Sequence, residues 1–386
     1  MAKILIITNR LVVGGPSVHL LQLIGNLHQK HQFLLVYGVA DKSEASMEKE
    51  FINLGIDLIK VDSLKRSINV LNDISFAKEL RAIIEKFEPD IVHTHTYKPG
   101  LAGRYIADKL NVKKIIHTYH GLIFKTYFNP VFSRILVLLD RYLTTKTDVL
   151  IALSPRQKLE LVDGYKIAPA SKVQVIPLAS SFTKEDFGHA KAVQFKAYWN
   201  IEREAVILAQ VGRLVEVKEV AFMIDMYSSI RSKIKNTCVL LIVGDGNLKE
   251  SLIEQAFSLH FSVAVDTPKE GADIIFTSWC KDLTGMYSAM DLLVLTSKSE
   301  GTPLTIIEAQ QASTAVLAPR IGGIEDMVQE EETTMLFSTA DEFEDKLLFL
   351  INNKSILFDM GQKAATFASA QFDLSKMIGM YDKMYK

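Results

Sequence analysis

The segment Ser299-Glu300-Gly301-Thr302-Pro303-Leu304-Thr305-Ile306-Ile307-Glu308-Ala309 joins two carboxylates to a helix start. Thr302 is suited to cap that helix and Pro303 to be its first residue. The N–H groups of Leu304 and Thr305 then lack partners inside the helix and make an anion site. Glu300 falls in the loop before the helix, and Glu308 about one turn inside it. An ionised carboxylate only accepts hydrogen bonds, so two of them beside an anion site suit hydroxyl donors, one from a sugar and one from a ribose. A hydrolytic acid/base couple is the competing reading of two carboxylates.

A second segment, Val211-Gly212-Arg213-Leu214-Val215-Glu216-Val217-Lys218, argues against that couple by supplying cations. Arginine offers a planar fork matched to phosphate oxygens, and lysine a mobile point charge. Together they would stabilise negative charge growing on a departing phosphate. An exposed Glu216/Lys218 surface pair is the bland alternative.

Two further stretches lie near the front of the chain. In Asn9-Arg10-Leu11-Val12-Val13-Gly14-Gly15-Pro16-Ser17-Val18-His19, the glycines would let the backbone approach a ligand and Ser17 would cap the next helix. In His117-Thr118-Tyr119-His120-Gly121, His120 falls just past a strand end. With His93 and His95 these histidines form two close pairs. Zinc would need a converging third or fourth ligand, and neither a cysteine pair nor a His-Glu-x-x-His pattern supplies it. Gly244-Asp245-Gly246-Asn247 and Arg320-Ile321-Gly322-Gly323 are turn signals after strands.

These loops need strands to hold them. Short apolar runs read as strands at 3–8, 33–37, 57–61, 90–95, 113–117, 149–154 and 173–176, then again at 206–211, 239–243, 274–276, 292–295, 315–318 and 335–337. Amphipathic helical runs separate them, among them 17–27, 74–87, 101–110 and 155–164, where Ser154-Pro155 is a start signal. Such alternation predicts α/β architecture with two doubly wound, Rossmann-like domains facing a cleft. The expected domains are 1–180 and 190–365, with an aperiodic linker over 176–187 and a last segment 366–386 whose helix is expected over 373–385. Doubly wound sheets bind ligands beyond the carboxyl ends of their strands, which is where every loop above falls.

Composition agrees with a globular protein: 386 residues, 48 % hydrophobic, 23 % charged. Two cysteines cannot build a disulfide framework, and the opening Ile4-Leu5-Ile6-Ile7 run is too short for a signal peptide; a cytoplasmic setting is expected. Residues 1–185 hold 25 Lys and Arg against 17 Asp and Glu, although the whole chain carries −1. A basic front half could attract an anionic acceptor or membrane surface. Beyond Asn129-Pro130, the apolar positions Phe132, Ile135, Leu136, Leu139 and Leu143 read as a core-facing helix side, with a membrane-touching surface as the alternative.

In this order, the motifs resemble retaining GT-B glycosyltransferases, specifically glycosyltransferase family 4. The resemblance runs through Gly14-Gly15-x-x-x-His19, His117-x-x-His120-Gly121, Ile176-Pro177, Gly212-Arg213-Leu214 with Lys218, Gly244-Asp245-Gly246, Glu300-Gly301-x-Pro303 with Glu308, and Gly322-Gly323. It implies a C-terminal nucleotide-sugar domain. Arg213 and Lys218 would hold the diphosphate, Glu308 the ribose and Glu300 the transferred sugar. Leu304 and Thr305 would contact the β-phosphate. Trp279-Cys280 resembles the base-binding loop, and Gly246, Gly301, Thr302 and Pro303 would belong to the same donor site. Gly14, Gly15, His19 and His120 would serve donor and acceptor from the first domain, and the last helix would return to that domain. Three positions depart from the family: Ser278 and Ser313 stand where glycine is common, and Ala315 where proline is.

The implied reaction moves a hexose or N-acetylhexosamine from a nucleotide sugar, with UDP as the expected nucleotide, to a glycan or lipid-linked acceptor in the cell envelope. His120, Arg213, Lys218 and Glu300 are the expected catalytic residues. No metal or other cofactor is expected, because the chain supplies the cations, and no nucleic acid is an expected partner. Two readings compete: a UDP-sugar epimerase of the same fold, and a catalytically inactive subunit. An oxidoreductase reading fails because Gly14-Gly15 lacks the spaced third glycine of a dinucleotide fingerprint.

Overall fold

The computed structural model of the chain is described for all residues except 42–43, 66, 68 and 123–128. The chain divides into two compact units, Met1–Leu178 with Leu374–Lys386, and Ala179–Asp373. The division falls inside the aperiodic stretch. The expected last segment, however, starts too early: residues 366–371 complete a helix of the second unit, and the first unit regains the chain only at Leu374.

The first unit runs β1 (Lys3–Thr8), α1 (Gly15–Leu27), β2 (Gln32–Tyr37), α2 (Glu48–Ile52), β3 (Asp57–Lys60), α3 (Val70–Phe87), β4 (Ile91–His95), α4 (Tyr97–Lys109), β5 (Lys114–Thr118), α5 (Pro130–Thr144), β6 (Val149–Ala152), α6 (Pro155–Leu159) and β7 (Val173–Val175). Its strands pair in parallel in the order β3-β2-β1-β4-β5-β6-β7. Strands buried on both faces explain the unbroken apolar runs such as Ile4-Leu5-Ile6-Ile7, all fully buried. Ser154 caps α6 as its sequence suggests, accepting from the Gln157 N–H. The helix read over 155–164 changes to π geometry at Glu160–Gly164. Ser17 does not cap α1; the cap position is Gly14, and the Ser17 hydroxyl instead accepts from the Val12 N–H at 3.1 Å.

The second unit runs α7 (His189–Tyr198), β8 (Val206–Val211), α8 (Val220–Ile230), β9 (Cys238–Val243), α9 (Lys249–Ser258), β10 (Val263–Val265), β11 (Ile274–Phe276), α10 (Leu283–Ala289), β12 (Leu292–Val294), α11 (Leu304–Gln311), β13 (Ala315–Pro319), β14 (Thr334–Phe337), α12 (Ala340–Asn352) and α13 (Lys354–Gln371). Its parallel order is β10-β11-β9-β8-β12-β13-β14. The edge strand β10 has only three residues and gave no periodic signal in the sequence. The chain ends in α14 (Leu374–Met384), whose Tyr381 is buried in the first unit.

Both sheets reverse their winding once. After β1 the chain adds strands on one side and then returns to place β4 on the other; after β8 it does the same with β12. Those two points are where a doubly wound sheet opens a crevice at its carboxyl edge.

Candidate active site

In the second unit, the β8/β12 reversal gathers both chemistry-bearing segments. β8 delivers Gly212 and Arg213, a short 3-10 turn over Glu216–Lys218 follows, and β12 leads to Ser297 and Glu300. Gln210, Gly212, Arg213, Lys218, Leu295 and Ser297 line a shallow recess there.

Lys218 points its ammonium at Glu300 Oε1, 2.5 Å away, rather than at Glu216. The Ser297 hydroxyl donates to the same oxygen at 2.6 Å. The backbone around Lys218 is held by buried polar groups. Gln210 donates to the Lys218 carbonyl at 3.0 Å and to Thr296 Oγ1 at 2.8 Å, and Thr296 donates to the same carbonyl at 3.0 Å. Ser297, Gln210 and Thr296 were not legible as site residues, because single polar residues at strand ends form no motif.

α11 starts one residue later than its sequence suggests. Pro303 occupies the cap position with extended ψ, Leu304 is the first helical residue, and no side chain caps the helix. Thr302 therefore does not cap; its hydroxyl is buried without a hydrogen-bond partner among the described residues. The consequence favours the anion reading, since a helix start with no side-chain cap leaves its first N–H groups for a ligand.

Glu308 sits one turn inside α11 and accepts the Tyr287 hydroxyl at 2.6 Å. Burial pushes its carboxyl up to about 7, against the pull of that hydrogen bond. Tyr287 comes from α10 and carries no sequence signal of its own.

Glycines lock these loops together. A Cβ at Gly246 would lie 2.2 Å from the Leu214 carbonyl oxygen, and one at Gly322 1.9 Å from that of Glu300. Gly246 thus serves backbone crossing beside the Arg213 loop, and Gly322 presses the Glu300–Gly301 loop into place, with the Gly323 N–H bonded to the Gly301 carbonyl at 2.9 Å. Trp279 and Cys280 follow β11, both partly buried, and the Ser278 carbonyl ties their loop to the Gly244 N–H at 2.8 Å. Burial raises the Cys280 thiol above its ordinary value, so it is not a thiolate nucleophile.

In the first unit, the β1/β4 reversal carries the Gly14-Gly15 turn, His19 and a histidine group. A Cβ at Gly14 or Gly15 would meet no atom of the described residues within 4 Å. His19 is buried, with Nε2 at 3.1 Å from the Tyr381 hydroxyl. His93 is fixed between Tyr385 at 2.7 Å and Thr118 at 2.8 Å. His95 Nδ1 is 3.0 Å from His120 Nε2. His117 is a core residue bound to Thr94 at 2.8 Å and packed on Gly100. Burial holds His19 down to about 4 and His120 to about 3, so these rings are neutral near pH 7. Among the described residues no group of three His, Cys, Asp or Glu side chains is placed to hold a metal ion.

Sequence comparison assigns residues 13–179 to the family described as Glycosyltransferase Family 4, and residues 205–353 to Glycosyl transferases group 1. The chain is 25 % identical, over 76 % of its length and 73 % of the relative's, to UDP-Gal:alpha-D-GlcNAc-diphosphoundecaprenol alpha-1,3-galactosyltransferase of Escherichia coli. It is 24 % identical, over 88 % of both chains, to the capsular polysaccharide biosynthesis glycosyltransferase CapM of Staphylococcus aureus. Its fold matches that of Anabaena Alr3699/HepE in complex with UDP at a TM-score of 0.78, with 16 % identity over 99 % of each chain.

Proposed function

The chain belongs to glycosyltransferase family 4 and has the GT-B fold, and on that premise we propose that it moves a hexose or N-acetylhexosamine from a UDP-sugar to a hydroxyl of a glycan or lipid-linked acceptor, with retention of configuration. The setting we propose is cell-envelope polysaccharide synthesis at the cytoplasmic face of the membrane. The donor and acceptor in the name of the Escherichia coli relative, and the UDP bound by the Anabaena protein, support that reading.

One observation carries it. At the β8/β12 reversal, Arg213, Lys218, Glu300 and the uncapped start of α11 share the carboxyl edge of one sheet. The diphosphate would take Lys218, Arg213 and the Leu304 and Thr305 N–H groups, while Glu300 and Glu308 accept hydroxyls of the sugar and ribose. In the reaction, the bond from the anomeric carbon to the β-phosphate oxygen breaks. The acceptor oxygen bonds the same face of that carbon, and its proton passes to the departing phosphate. Lys218, Arg213 and the helix start stabilise the leaving charge, so no metal is required. His120 serves as a neutral hydrogen-bonding group.

The test is a panel of UDP-, GDP- and ADP-sugars with acceptors, run with and without EDTA. Transfer from a UDP-sugar that survives EDTA is expected. Conversion of the donor into an epimer without acceptor would replace the transferase reading, and strict manganese dependence would overturn the metal-free one.

A further inference from the structure

Helix α5 is apolar on two sides. Leu136, Val137 and Leu143 are buried, as a core helix requires. Yet Val131 is 68 % exposed, Ile135 47 %, Leu138 60 %, Leu139 44 % and Tyr142 50 %. At 100° per residue these five fall within an arc of about 100° on the outer side. The expectation that Ile135 and Leu139 face the core is therefore wrong, while Leu136 and Leu143 do so; the helix carries more apolar surface than one face can bury. Phe128, just before it, lies outside the described residues.

Single exposed apolar residues need no explanation, but a contiguous row does. The charges around the row select its partner. Arg134 and Arg141 are exposed along one edge. Lys146 lies 5.4 Å from the Tyr142 ring centre and is paired with Asp108 of neighbouring α4 at 2.7 Å, while Lys109 of α4 lies 5.7 Å from the ring centre of Tyr105, itself 43 % exposed. The helix has one acid, Asp140, and that is fully buried against Arg104 at 2.6 Å. A second copy docking on this face would set its arginines against their own kind. Apolar side chains bordered by tyrosine, lysine and arginine, on a helix with no exposed acid of its own, are the chemistry of a helix lying in an anionic lipid interface.

We propose that the outer face of α5 is a membrane-docking surface that lies in the headgroup boundary of an anionic bilayer, with Val131, Ile135, Leu138 and Leu139 inserted and the basic edge on lipid phosphates. This deepens the reading of a lipid-linked acceptor by assigning the surface that would meet the lipid. No helix among the described residues is long and apolar enough to cross a membrane.

Flotation of the full chain with phosphatidylcholine vesicles, with and without phosphatidylglycerol, tests it in the absence of nucleotide. Binding to the anionic vesicles, weakened by salt, is expected. The Leu138→Glu/Leu139→Glu variant should lose about tenfold or more of that binding, and Arg134→Glu should weaken it on anionic vesicles only. UDP-induced thermal shifts, read without vesicles, should match wild type in both; if the double variant does not fold, Arg134→Glu decides. The proposal is overturned if wild type ignores anionic vesicles, if the variants bind like wild type, or if the double variant instead abolishes self-association. Because docking is measured without nucleotide and nucleotide binding without lipid, failure of one leaves the other readable.

Discussion

Lys218 Nζ and Glu300 Oε1 are 2.5 Å apart, so the cation proposed for the leaving phosphate is already matched to the carboxylate proposed for the sugar. Side-chain exposure is 23 % for Lys218 and 9 % for Glu300, which makes this more than a solvated surface pair. A diphosphate arriving beside Lys218 would share its ammonium with Glu300, and Ser297 would keep the carboxylate oriented meanwhile. Lys218→Ala should therefore lower kcat by about 10²–10³, the cost of one lost donor to transition-state charge. Donor KM should change far less. A variant whose kcat stays within a few-fold of wild type would remove Lys218 from the reaction.

Glu308 makes donor binding depend on pH. Its carboxyl is raised to about 7 by burial and accepts a hydrogen bond from Tyr287. Only the ionised form accepts hydrogen bonds at both oxygens, so ribose binding needs deprotonation. Below pH 7 the carboxyl is protonated and grip weakens; above it the carboxylate is available. Affinity for a nucleotide sugar, whose own pyrophosphate does not titrate in this range, should rise between pH 6 and pH 8. In Glu308→Gln the profile should be flat, and Tyr287→Phe should move the midpoint upward by removing the one bond that favours the charged form. Calorimetric titration at several pH values reads this; a wild-type profile without a step near 7 counts against the role of Glu308.

The two sheets were legible because parallel strands covered on both faces appear as apolar runs, and because loops at their carboxyl ends carry glycines and charges. Lys218, Glu300 and Glu308 were legible for the same reason. The polar groups that orient them were not. Tyr287 lies on α10 and Gln210 inside β8, and Tyr381, which holds His19 rather than any of those three, lies in the last helix, so each reaches its partner through tertiary packing alone. Caps were misread at Thr302 and Ser17, because a threonine or serine before a helix fits both a cap and a buried hydroxyl. The core side of α5 was misread because its periodicity does not distinguish the packed face from an apolar face turned to solvent.

The His95–His120 pair has a definite proton order. His95 Nε2 is buried without a partner among the described residues. A buried N–H without an acceptor is a rarer and costlier defect than a bare lone pair. His95 therefore carries its proton on Nδ1 and donates to His120 Nε2 at 3.0 Å, which leaves the His120 proton on Nδ1. Since His120 is held down to about 3, it stays neutral through the physiological range. Nitrogen-15 spectra of the imidazoles at pH 7.5 should show His120 as the neutral Nδ1–H tautomer, and His95→Phe should release that preference. Titration of His120 near 6.5, or a proton on its Nε2, would refute the assignment.

Ser313 ends α11 in the geometry that glycine normally takes. Its φ is +62°, its N–H bonds the Gln310 carbonyl at 3.0 Å, and the Thr314 N–H reaches back to the Ala309 carbonyl at 2.9 Å. These two bonds define a Schellman cap with serine in the left-handed position. Ser278, the other departure from the family's glycines, also has positive φ, +50°. A side chain in that region costs roughly 1–2 kcal/mol, whereas glycine there adds about 0.5–1 kcal/mol of unfolded-state entropy. The balance predicts that Ser313→Gly stabilises the second unit by about 0.5–1 kcal/mol. Chemical denaturation should show a higher midpoint at unchanged slope. Because Gly361 lets α13 approach the Ser313 carbonyl so closely that a Cβ would sit 1.9 Å from it, Gly361→Ala should destabilise the same unit. If Ser313→Gly lowers the midpoint instead, the serine side chain makes a compensating contact and the strain argument fails.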